Sequence, residues 1–191
     1  MGRLGRAEAS DAAVIARSVG VPAAFAELFE RHFSVIHRFL MLRAGEQIAA
    51  DLASETFVIA FRRRGDYDVT RPDARPWLFG IATNLVREQH RSERRRREMW
   101  LRLVRERSSE SDGEVLAPVD VEAGSESLRA ALAELSPEAR DLLLLFACVG
   151  LSYEEIAEAL SLPLGTVRSR IHRLRHKLSE RLSLAAEEVT A

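Results

Sequence analysis

The chain has 191 residues, 47% of them apolar and 30% charged, with a formal net charge of −1. That balance describes a folded chain rather than a disordered one, and its longest unbroken apolar run, Leu142–Val149, falls far short of the about 20 residues a membrane-spanning helix needs. The single cysteine, Cys148, excludes an internal disulfide and a four-cysteine zinc site, while Asp11 and Arg17 interrupt any apolar signal core; a cytoplasmic protein without membrane insertion is expected.

The pattern reads as helix almost throughout, and an all-α fold is expected. Residues 1–20 are expected to form a loose or short-helical extension. From Pro22, a helix is predicted by Phe25, Leu28, Phe29, His32, Phe33, Ile36, Phe39 and Leu40 at three- and four-residue steps, ending at Gly45. A second helix follows, with Ile48, Leu52, Phe57, Val58 and Phe61 as its apolar positions. After turn chemistry at 66–73, a third helix starts near Pro76, where proline in the first turn is harmless. Its apolar face is Trp77, Leu78, Ile81, Leu85 and Val86, and it runs into Arg94–Arg97. Residues 108–127, with their serines, glycines and acids, read as a flexible acidic linker. Beyond it, Ser136-Pro137 signals a helix start, and Ser152-Tyr153-Glu154-Glu155 is a capping box. A turn at Ser161-Leu162-Pro163 precedes a last helix with the stripe Val167, Ile171, Leu174 and Leu178. Cys148, within an apolar run, reads as core packing.

Charge is unevenly spread. Residues 62–107 hold 14 arginines against 7 acids, residues 108–141 carry a local charge of −7, and residues 164–182 one of +5. A polyanion responds to local field, so a near-zero total does not exclude nucleic acid.

A short capped helix, a tight turn and a longer basic helix make a helix-turn-helix. Its second helix would present Arg168, Ser169, His172, Arg173 and Arg175 to the major groove, where the planar arginine fork suits guanine edges or phosphates. A solvated basic face on a helical bundle is the plainer reading. The third helix, with Asn84, Arg87, His90 and Arg91 behind a loop bearing Tyr67, could serve single-stranded nucleic acid through ring stacking and phosphate contacts. Enzyme signals are missing. His32 and His37, five residues apart, do not share a face as metal ligands would, and there is no Gly-rich phosphate loop or nucleophile elbow. No catalysis, metal or cofactor is expected.

Three stretches resemble the bacterial RNA polymerase sigma factors of the extracytoplasmic-function (ECF) subfamily. They are Ala50-Asp51-Leu52-Ala53-Ser54-Glu55-Thr56-Phe57; Trp77-Leu78-Phe79-Gly80-Ile81-Ala82-Thr83-Asn84 with Arg91; and Leu151–Ala157 with Gly165–Arg173. The resemblance implies a region 2-like domain over 21–107, a linker over 108–127 and a region 4-like helix-turn-helix domain over 128–191. It further implies that Asp51, Leu52, Glu55 and Phe57 bind core RNA polymerase. Tyr67, Trp77, Asn84, Arg87 and Arg91 would open and read the minus-ten promoter element. Thr166, Arg168, Ser169, His172, Arg173 and Arg175 would read the minus-thirty-five element as duplex. Many members of the family are held inactive by an anti-sigma protein. The competing reading is a stand-alone helix-turn-helix regulator that binds operator DNA as a dimer.

Overall fold

The computed structural model describes residues 9–105 and 135–190, with side-chain surroundings for 9–102 and 135–179. All regular elements among them are helical: α1 (Asp11–Gly20), a 3-10 turn (Pro22–Phe25), α2 (Ala26–Ala44), α3 (Glu46–Arg62), a 3-10 turn (Arg64–Asp66), α4 (Arg75–Arg105), α5 (Pro137–Ala147), α6 (Tyr153–Leu160) and α7 (Leu164–Thr190). The linker expected over 108–127 lies outside the described residues, as do 128–134 of the C-terminal domain.

Local chemistry accounts for the element ends. Ser10 and Ser136 cap α1 and α5 by accepting from the amides of Ala13 and Ala139. Gly45 joins α2 to α3 at φ +85°, left-handed backbone that a side chain resists. At α6, Ser152 Oγ accepts from the Glu155 amide while Glu155 Oε2 accepts from the Ser152 amide at 2.7 Å. The capping box read from the sequence is therefore formed.

The apolar faces of α1 to α4 close one core, in which Val14, Ile15, Leu28, Ile36, Leu40, Leu78 and Val86 are buried. Phe39 meets Phe79 edge-on with ring centroids 5.3 Å apart. Three expectations need correction. Residues 11–20 take the short-helical form of the two expected, but they are not an extension: their period places Val14 and Ile15 in the core. Phe29 and Val58, read as apolar-face positions, are exposed, because they lie at the edges of stripes already filled by Leu28 and Phe57. Cys148 is also exposed; it follows the last residue of α5, where the chain leaves the packed face.

In the C-terminal part, Leu142, Leu145, Leu151, Ile156, Val167 and Ile171 form the helix-turn-helix core. Leu174 and Leu178, at the end of the same stripe, are half-buried. This unit docks on α4. Gly80 of α4 lies against the backbone of Ala159 in α6, so close that a Cβ at position 80 would stand 2.9 Å from the Ala159 carbonyl oxygen. Beside this contact is a buried ionic cluster. Asp141 of α5 accepts from Arg43 Nε of α2 at 2.5 Å, and from Arg87 Nε and Nη2 of α4 at 3.1 and 3.0 Å. Arg71 pairs with Glu158, and Arg75 Nη2 lies 3.8 Å from Glu155.

Candidate nucleic-acid interface

Three surfaces carry the residues singled out above. On α3, Asp51 and Glu55 are exposed, one turn apart on a shared face, whereas Leu52 and Phe57 are buried. The two acids can therefore meet a partner directly, and the two apolar residues hold the helix in register beneath them. Val58 continues the Asp51–Glu55 line at the next turn. Phe29 stands close by on α2, its ring 4.9 Å from that of Phe57. This apolar extension of the acidic strip could have been found from the i, i+4, i+7 spacing of 51, 55 and 58.

The second surface is the loop between the 3-10 turn at Arg64–Asp66 and α4. Asp68 stiffens it, with Oδ1 accepting from the Thr70 amide and hydroxyl and Oδ2 from Arg71 Nε. Asp68, Val69 and Thr70 form its exposed side. Tyr67 turns the other way. Its ring is buried 5.0 Å from that of half-buried Trp77, and its hydroxyl lies within donating distance of the carbonyls of Arg71 and Asp73. Burial, reinforced by Asp11, Glu158 and Asp73, pushes the Tyr67 hydroxyl pKa well above its ordinary value. Tyr67 is thus a buried brace in this arrangement, not an open stacking ring. On α4, Asn84 and Arg91 are exposed. Arg87 is half-buried and committed to Asp141, so the expected group of five is divided between open and occupied positions.

The third surface is on α7, the helix after the turn. Ser161 ends α6 in left-handed backbone (φ 52°, ψ 44°), and the Leu162 amide donates to Ala157 O at 2.9 Å. This closes the turn that aims α7. Arg168, Ser169, His172, Arg173 and Arg175 are exposed, as their spacing against Val167 and Ile171 requires, and Thr166 is half-buried in the first turn. Arg168 Nη2 donates to Glu154 at 3.0 Å and Arg173 Nε to Ser169 O at 3.3 Å; both are weak surface tethers. Arg173 and Lys177 also border an open groove between α5 and α7, shared with Arg170, Ser136 and Glu138.

Among the described residues no group of His, Cys, Asp and Glu is arranged to hold a metal ion, and His32 instead lies 2.7 Å from Asp11. No described helix is long and apolar enough to cross a membrane.

Residues 28–96 match the family model for Sigma-70 region 2, and residues 125–178 match that for Sigma-70, region 4. The chain is 34% identical to the RNA polymerase sigma factor CarQ of Myxococcus xanthus over 89% of its own length and 95% of that protein's. It is 32% identical to the ECF RNA polymerase sigma factor SigL of Mycobacterium tuberculosis (strain ATCC 25618 / H37Rv), over 83% of this chain and 90% of SigL. The chain belongs to the ECF RNA polymerase sigma factors. It spans 63% of the length of another relative, the ECF sigma factor SigE of Mycolicibacterium smegmatis, at 36% identity over 85% of this chain. Among solved structures, CnrH in complex with the cytosolic domain of CnrY matches with a TM-score of 0.65 and 30% identity, covering 91% of this chain and 97% of that one. Both sigma regions are present in order in one chain, which supports promoter-specific transcription initiation over stand-alone operator binding.

Proposed function

We propose that this sigma factor is a non-catalytic, cytoplasmic initiation factor that joins core RNA polymerase and gives it promoter choice. Its carrying observation is the coexistence of an acidic-apolar strip on α3 with two basic surfaces on α4 and α7. The strip Asp51–Glu55–Val58 with Phe29 sets exposed apolar groups beside exposed acids, the mixture of a protein interface, and it binds core polymerase. The loop 67–74 and α4 act on the minus-ten element, where Asn84 and Arg91 meet the separated strand and the Tyr67–Trp77 pair supports the site that receives a flipped base. Flipping costs a few kcal/mol, which stacking can offset. On α7, Arg168, Ser169, His172 and Arg173 read base edges of the minus-thirty-five element, with Thr166 at the helix start; Arg175 and Lys177 hold phosphates.

The two promoter elements are centred about 25 base pairs apart, or about 85 Å at 3.4 Å per base pair. Domains docked through Gly80–Ala159 cannot reach both, so DNA binding parts them, releasing Arg87 from Asp141 and turning Arg71 and Arg75, which keep Asp68 and Asp73, away from the acids of α6. CnrH is bound by the cytosolic domain of CnrY; an anti-sigma partner that kept the two domains of this chain docked would hold it inactive.

The test of the polymerase surface is the double variant Asp51→Ala/Glu55→Ala. Its far-ultraviolet dichroism should match the parent, while its affinity for core polymerase should fall about tenfold or more, as removal of close interface charges does. Unchanged assembly would overturn the assignment.

A further inference from the structure

We propose that Asp11 is a positioning residue for promoter melting: with α1 behind it, it fixes the loop 67–74, together with the 3-10 turn before it, in the shape that selects minus-ten bases. The inference rests on the reading of that loop as the minus-ten site, and it concerns a helix that lies N-terminal to the residues matched by region 2.

α1 runs as a splint along the whole loop. At its C-terminal end, Arg64 Nε donates to Ser18 O at 3.2 Å while Arg64 Nη1 donates to Phe61 O at 2.6 Å, with the guanidinium 3.9 Å above the Phe61 ring. At its N-terminal end, the Ala12 amide donates to Pro72 O at 3.4 Å, and Asp11 Oδ2 accepts from the Ala74 amide at 3.1 Å. The span between these anchors contains Tyr67, whose hydroxyl lies within donating distance of the Arg71 and Asp73 carbonyls.

Asp11 is itself over-determined. Oδ2 lies 2.7 Å from His32 Nε2, Oδ1 accepts from Arg31 Nη1 at 3.0 Å, and the same Arg31 nitrogen holds Ala9 O at 2.6 Å. Burial alone would raise the Asp11 pKa, but the hydrogen bonds from His32, Ala74 and Arg31 outweigh it and hold it at about 2. A buried carboxylate with this many donors locks its neighbours. What it locks is the first residue before α4, the helix that carries Trp77 and Asn84. A loop free to shift by an ångström would still bind DNA but would discriminate bases poorly.

The experiment uses the full chain with core polymerase and measures transcription from templates in which each minus-ten base is varied, scored as the ratio of preferred to substituted template. A merely structural loss lowers the active fraction and leaves this ratio unchanged. Asp11→Asn should bring the ratio down by about fivefold, the scale of one net hydrogen bond, while discrimination at minus-thirty-five stays at the parent's value. Arg64→Met, acting on the other end of the splint, should move the ratio in the same direction and serves if Asp11→Asn does not fold. Uniformly reduced output with unchanged ratios in the folded variants would overturn the proposal. Absence of minus-ten discrimination by the unaltered chain would overturn the promoter reading beneath it.

Discussion

Replacing Asp141 with asparagine attacks the joint between the two domains at its most buried point. The Asp141 side chain has no exposure and that of Arg43 only 2%, whereas Arg87 retains 28%. Asparagine keeps the shape, removes the negative charge and turns an N–H pair toward guanidinium groups that have nothing to accept with. Removing one member of a buried pair costs about 3–5 kcal/mol because the remaining charge stays in low dielectric. Arg87, being partly solvated, contributes at the surface scale of about 0–1 kcal/mol, so Arg43 dominates the loss. The chain has an escape: it can undock and rehydrate Arg43, which caps the measured loss at the free energy of docking. Two readings are therefore needed on the same protein. Urea unfolding followed by dichroism should show a midpoint lower by about 1 M or more, given slopes of about 1–3 kcal/mol/M, and small-angle scattering should show a larger radius of gyration. Gly80→Ala should undock the domains without any change of charge, since its Cβ would meet backbone at 2.9 Å. An Asp141→Asn unfolding free energy within about 0.5 kcal/mol of the parent's, the range of ordinary surface changes, together with unchanged scattering, would refute the buried joint.

Two further outcomes follow from single residues. Ser161 is the sole described non-glycine residue at positive φ, a conformation that costs an L-residue about 1–2 kcal/mol; Ser161→Gly, after its own entropy loss, should raise the melting temperature by about 2–4 °C, and a fall would show that the serine side chain supports the turn. Arg43 Nη1 approaches His90 Nε2 at 3.2 Å, which requires that nitrogen to be bare; burial and then the Arg43 charge lower the His90 pKa below its ordinary 6.5, against a weaker upward pull from Glu93 and Asp141. Because the unfolded chain takes up this proton first on acidification, His90's contribution to stability is complete above 6.5 and declines as pH falls below it. The urea midpoint should therefore drop between about pH 7 and 5.5, and His90→Gln should flatten that slope; an unaltered slope would remove His90 from the joint.

The helices and their caps were largely legible in the sequence, because period and end chemistry are local signals: Ser136-Pro137, the Ser152–Glu155 box and the stripe Val167–Ile171 all fold as read. The exposed face of α7 followed from the same stripe by subtraction. The joint between the domains was not legible. Asp141 reads as one more acid beside an acidic stretch and Arg43 as a basic residue in the last turn of α2, and nothing periodic announces that residues 98 apart in sequence will be buried together. Arg87 was assigned to DNA for the same reason, since its spacing on α4 places it with Asn84 and Arg91. Tyr67 was recognised as important, but its inward orientation depends on carbonyls that only the folded loop presents. α1 was underestimated because the alternation of Asp11, Arg17 and small residues hides a two-sided helix, one side apolar and one carboxylate aimed into the loop.

The most direct measurement is transcription by core polymerase with this chain on templates varied one base at a time at minus-thirty-five, using the parent, Arg168→Ala, Arg173→Ala and Arg175→Ala. Initiation should require both polymerase and chain. Arg168→Ala and Arg173→Ala should each lose about 1–3 kcal/mol at the preferred sequence and relax choice at particular positions, whereas Arg175→Ala should weaken all templates equally and lower the salt dependence. Tight, sequence-specific duplex binding by the chain alone, with no gain in initiation when it is added to core polymerase, would contradict the sigma-factor mechanism.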